Sequence, residues 1–101
     1  MLVAPDLILP ETEIEGICRK YRVQELALFG SALRGEAGPE SDLDFIVDFL
    51  PGAHATLFDI AGMAEEMSKL LGRRVDLGTK RSLKPAVRRE VLTEARVVYA
   101  A

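Results

Sequence analysis

Residues 42–49 read DLDFIVDF. The apolar run Phe45, Ile46 and Val47 asks for a buried strand, yet two carboxylates stand at its opening with only Leu43 between them. Strand side chains alternate faces, so Asp42, Asp44 and Ile46 share one face and Leu43, Phe45 and Val47 share the other. Like charges this close repel and raise each other's pKa. The fold must therefore pack one face of this strand and leave the other open to something positive.

The rest of the chain supplies the packing. Ile14, Ile17, Cys18 and Tyr21 recur at helical spacing over Glu11–Tyr21, and Arg19 and Lys20 suit that helix's C-terminal end. QELALF, residues 24–29, alternates as a strand and ends at Gly30-Ser31. Ser31 reads as the N-cap of a short helix stopping near Gly35. EAGPE is a loop, PGAHA a turn, and Thr56–Leu71 an amphipathic helix closed by Gly72. RRVDL is a third strand. LKPAVRREVLTE is a final helix with Pro85 in its first turn, and RVVY is a last strand. The order α-β-α-β-α-β-α-β predicts an α/β or α+β fold with a small mixed sheet, as a single domain over residues 1–101.

The strand rule extends to RRVDLG, where Arg74 and Asp76 share one face and Val75 and Leu77 the other. With the apolar faces packed on helices, Asp42, Asp44 and Asp76 converge on the open side of the sheet. Carboxylate oxygens around a hydrated Mg²⁺ are typical of phosphoryl-transfer sites. The missing positive charge is then a divalent metal brought in with a nucleotide. Gly30 lets backbone approach a ligand closely, Ser31 adds a hydroxyl, and free N–H groups at a helix start form an anion site. Arg34 is placed to meet a phosphate, or to pair with Glu36 or an aspartate.

Other motifs fail on their details. Gly30 to Gly35 has P-loop glycine spacing, but Glu36-Ala37 stands where Lys-Ser/Thr is needed. Asp42, Asp44 and Asp48 mimic an EF-hand only until Ile46 and Val47, where a ligand and a glycine belong. His54, the one histidine, has no metal-spaced companion. Bland readings also stand. Ser41 and Asp42 can form an Asx-type turn, Asp76 can be a strand-end surface residue, and Ser31 can cap and bind together. Arg73-Arg74 reads as a solvated strand flank, Met63 and Met67 as core, Cys18 as a small buried hydrophobe, and KPAVRRE as an exposed helix face.

Charge and cysteine count narrow the function classes. A net charge of −3 gives no basic surplus for sequence-independent nucleic-acid binding. One cysteine permits no intrachain disulfide. The opening MLVAPDLILP lacks a positive n-region and is broken by Pro5, Asp6 and Pro10, and no stretch is long enough to span a membrane. The expected location is the cytoplasm.

GSALRGEAGPESDLDFIVDF, with Gly-Ser, a gap and Asp-x-Asp in an apolar strand, resembles the nucleotidyltransferase signature. With Asp76 in RRVDL as third carboxylate, the chain resembles the DNA polymerase β-type superfamily. More narrowly it is similar to the minimal nucleotidyltransferases, the MNT domains, over about Tyr21 to Tyr99. The resemblance implies the nucleotidyltransferase fold, with helices on one face of the sheet and an open active-site face. It implies that Gly30 and Ser31, with Arg34 and Ser41, hold the nucleotide. It implies that Asp42 and Asp44 ligate Mg²⁺, and that Asp76 completes a two-metal site or acts as base. The expected reaction transfers AMP from ATP to a hydroxyl. In 101 residues no extra acceptor domain is expected, so the acceptor site is expected to be borrowed in a homo- or hetero-oligomer. The family implies a helical HEPN toxin as partner and an antitoxin role. Two alternatives remain at this stage: a non-catalytic module that silences a toxin by contact, and a small-molecule transferase of the aminoglycoside type.

Overall fold

A computed structural model describes residues 1–4, 7–30, 32–33, 35, 38 and 41–101. Its elements are β1 (Leu2–Ala4), β2 (Leu7–Ile8), α1 (Glu11–Lys20), β3 (Val23–Phe29), β4 (Leu43–Phe49), α2 (Leu57–Leu71), β5 (Val75–Gly78), a 3-10 turn (Lys80–Ser82), α3 (Pro85–Glu94) and β6 (Arg96–Ala100). Four strands form one sheet in the order β5-β4-β3-β6, and β1 and β2 form a separate pair.

The local chemistry explains the elements. Helix α2 opens with a capping box: Asp59 N–H donates to Thr56 Oγ1 at 3.3 Å, and Thr56 N–H donates to Asp59 Oδ2 at 2.8 Å. It closes at Gly72, whose φ of 65° is the left-handed conformation that stops a helix. Helix α1 has no side-chain cap, but Glu11 and Glu13 in its first turn and Arg19 and Lys20 in its last complement the dipole. Pro85 sits at the start of α3, where its missing N–H costs nothing.

Strands β4 and β5 run parallel and are joined through α2, the crossover a parallel pair requires. Strand β3 is antiparallel to both β4 and β6. Leu43, Phe45 and Val47 of β4 join Leu26 and Leu28 of β3 in one buried cluster, with Ile14 and Cys18 of α1 and Met63 and Met67 of α2. These helices thus cover one face of the sheet, and the expected mixed sheet is present. The core readings of Cys18, Met63 and Met67 hold, each being fully buried.

Two expectations change. The N-terminal segment pairs as β1 and β2, and Met1 and Leu9 exchange backbone hydrogen bonds at 2.8 Å. Arg96 ties this pair to β6 by donating to the Val3 carbonyl at 3.1 Å. Pro5 and Asp6, which broke the pattern in the sequence, lie outside the described residues. The short helix expected after Gly30 is, in its described part, a turn in which Gly35 N–H donates to Ala32 O at 3.2 Å.

Candidate active site

The parallel register fixes the carboxylates. Asp44 is paired across the strands with Asp76, and on its other side with Phe29, the last residue of β3. Neighbouring strands lie about 4.8 Å apart, so Asp44 and Asp76 stand side by side, and Asp42 precedes them by one pleat. Period two holds: Leu43, Phe45 and Val47 are buried, while Asp42, Asp44 and Asp48 are only partly covered. Ile46 is the exception on the carboxylate face. It is 3% exposed, and is paired with Ala27 of β3 on one side and Gly78 of β5 on the other.

Gly30 follows β3 directly and has φ 86°. A Cβ there would lie 2.8 Å from Asp44 Oδ2. The position therefore excludes side chains twice, through its backbone conformation and through contact with the carboxylate. The glycine turn and Asp44 are one piece of structure.

Asp44 has its carboxyl pushed above the usual range, first by burial and then by the negative charges of Asp76 and Asp42. Among the described residues Arg74 is the one cation at ion-pair distance from these carboxylates, 3.9 Å from Asp42 Oδ2, with both side chains well exposed. An exposed pair of this length contributes little. Among the described residues the site keeps a surplus of negative charge.

Arg73 has a role that its sequence does not suggest. Its Nε and Nη2 donate to the Ser41 carbonyl at 3.1 and 2.8 Å, and Nη2 also donates to the Gly38 carbonyl at 3.1 Å. Within that turn Ser41 N–H donates to Gly38 O, and Gly38 N–H donates to Ser41 Oγ, both at 3.1 Å. Leu43 N–H then donates to Arg74 O at 2.9 Å. The Gly72 turn so brings Arg73 and Arg74 against the segment that delivers Asp42. Arg73 is a structural clamp rather than a solvated flank. Ser41, expected on the nucleotide, has its hydroxyl accepting from the turn. Ser31 and Arg34 lie outside the described residues.

No group of three or more His, Cys, Asp and Glu among the described residues is arranged to hold a metal ion by protein atoms alone. Mg²⁺ sites are commonly built differently, from one or two carboxylates and the substrate's phosphate oxygens. Asp42 and Asp44, all-oxygen donors whose negative charge is not compensated among the described residues, fit that pattern.

The chain is similar to several known proteins. The nucleotidyltransferase domain model matches residues 11–98. Protein adenylyltransferase MntA of Thermococcus cleftensis is 43% identical over 82 residues, covering 79% of this chain and 77% of that protein. A solved structure of a candidate minimal nucleotidyltransferase has a TM-score of 0.72 at 38% identity, covering 85% of this chain and 86% of that one. A toxin-antitoxin structure with AMP-PNP has a TM-score of 0.73 at 25% identity, covering 92% and 75%.

Proposed function

The chain belongs to the nucleotidyltransferase domain family and is a nucleotidyltransferase; from that premise we propose that it moves AMP from Mg²⁺-bound ATP to a hydroxyl on a partner protein. The partner in this reading is a HEPN-type toxin, met in the cytoplasm, and the chain is its antitoxin. Support comes from a 43% identical relative named a protein adenylyltransferase and a structural neighbour that is a toxin-antitoxin assembly with AMP-PNP. The single observation that carries the chemistry is the register: Gly30 against Asp44, and Asp44 beside Asp76.

In the proposed mechanism the backbone at Gly30 approaches the triphosphate, and Asp42 and Asp44 are the residues that would hold the ion. Bound Mg²⁺ supplies positive charge that offsets the carboxylates and polarises the phosphates. Asp76 accepts the proton of the acceptor hydroxyl. The hydroxyl oxygen forms a bond to the α-phosphorus, the bond from that phosphorus to the bridging oxygen breaks, and pyrophosphate leaves. Positioning and electrostatics carry the rate.

The test incubates the chain and its co-purified partner with Mg²⁺ and ATP labelled at the α-phosphate, beside a γ-labelled control. Label on the partner from the α position alone is expected. Asp44→Asn is expected to lower that labelling by about two to four orders of magnitude. Normal labelling by Asp44→Asn sinks the mechanism. No labelling by wild type, with the partner still silenced, favours a contact-only antitoxin.

A further inference from the structure

At the C-terminal ends of β4 and β5 a cleft of about 500 Å³ opens between Asp48, Phe49 and His54 on one side and Thr79, Lys80 and Arg81 on the other. Asp48 lies on the same strand face as Asp44 and four residues beyond it, about 13 Å along β4. We propose that this cleft is the docking site for an acidic segment of the acceptor protein that flanks its reactive hydroxyl; this rests on the transferase reading above.

The direction of the chemistry selects the cleft. In phosphoryl transfer the attacking and leaving oxygens are roughly in line. In that reading pyrophosphate leaves toward Gly30, which lies at the opening of β4 against Asp44. The acceptor then arrives from the opposite side, where the strands run on toward the cleft.

Charge selects the occupant. The chain carries −3 overall, yet Lys80 and Arg81 stand together at the cleft, and neither side chain has an ion-pair or hydrogen-bond partner among the described residues. His54 lines the same opening in the left-handed region, φ 51°, where a non-glycine residue is strained. Directly after Thr56 come Leu57 and Phe58, 83% and 90% exposed, the most exposed large apolar side chains of the chain's described part. Two cations without a partner among the described residues, at an open cleft followed in sequence by exposed apolar side chains at the start of α2, suit an acidic polypeptide rather than a nucleoside.

The test titrates the full-length, isotope-labelled chain with a synthetic peptide holding one tyrosine among glutamates and aspartates, with and without Mg²⁺ and AMP-PNP, and follows backbone amide shifts. Saturable shifts at Asp48, His54, Lys80 and Arg81 are expected. A lysine-flanked tyrosine peptide is expected to give none. The double variant Lys80→Glu, Arg81→Glu should weaken the acidic peptide at least about tenfold, keep a dispersed spectrum, and leave AMP-PNP affinity unchanged. Shifts confined to other surfaces, equal binding of both peptides, or AMP-PNP alone filling the cleft would overturn the assignment. Peptide binding at the cleft with no α-label transfer by wild type supports the docking site and counts against the transferase reading alone.

Discussion

Gly30 joins a backbone requirement to an electrostatic one. Its φ of 86° and the 2.8 Å approach of a hypothetical Cβ to Asp44 Oδ2 act together. Gly30→Ala is expected to destabilise the chain by about 1–3 kcal/mol and to lower α-label transfer, since relief comes only by moving Asp44. Urea titration beside the transfer assay checks this, and unchanged stability would mean that the turn relaxes freely. Asp44 has the opposite profile. Its raised carboxyl pKa reports a half-buried charge facing two others. Asp44→Asn should therefore melt no lower than wild type while losing activity, a separation of function from stability expected at strained sites. The alternation of Asp42 and Asp44 with buried neighbours was legible because period two depends on the backbone alone. Arg73 was not legible. Its partners are carbonyls 32 and 35 residues away, and a backbone acceptor leaves no complementary residue type in the sequence.

At the scale of elements, helix α2 does most to place the site, since it carries the chain from β4 to a parallel β5. Its position rests on Met63 and Met67, both fully buried, and on the Thr56–Asp59 capping box. Thr56→Ala should cost about 1 kcal/mol, read as a lower urea midpoint with an unchanged slope. Arg73→Ala removes three donors from the turn ahead of Asp42. It should raise the Mg²⁺ concentration needed for half-maximal transfer more than it lowers melting temperature, and Arg73→Lys should recover part of the loss. An equal fall in both would make Arg73 merely structural. Helix α2 was readable from its apolar spacing and from Gly72. The pairing of β1 with β2 was not, because a short strand pair is specified by the surface it rests on more than by its own pattern. The register that sets Asp44 beside Asp76 was also beyond the sequence. Facing can be read along one strand, but alignment between two depends on how the crossover helix packs.

The whole molecule has a radius of gyration of 12.8 Å, close to the about 13 Å of a compact chain of 100 residues. No helix among the described residues is long and apolar enough to cross a membrane. Its alkaline limit follows from two groups. Burial, and secondarily Glu15, pushes the Cys18 thiol from 9.0 to about 12. The hydrogen bond to Glu66, more than burial, pushes the Tyr21 hydroxyl from 10.0 to about 12. In both cases the unfolded chain releases its proton first as pH rises. Their stabilisation is complete below the unfolded values and is lost as pH climbs toward 12. Melting temperature should hold to about pH 9 and then fall, and iodoacetamide should modify Cys18 at pH 8 only after denaturant is added. Rapid labelling of the native chain would show that the thiol is not enclosed.

The parallel pairing of β4 with β5 also sets a clock. Asp44 and Asp76 become neighbours only after all of α2 and the opening of β5 have been made. At about 5–20 residues per second of translation, the third carboxylate trails the first two by seconds. Every newly synthesised copy thus passes through an interval in which the glycine turn and the first two carboxylates exist without the third, and under the proposed mechanism it would stay silent until Asp76 has emerged.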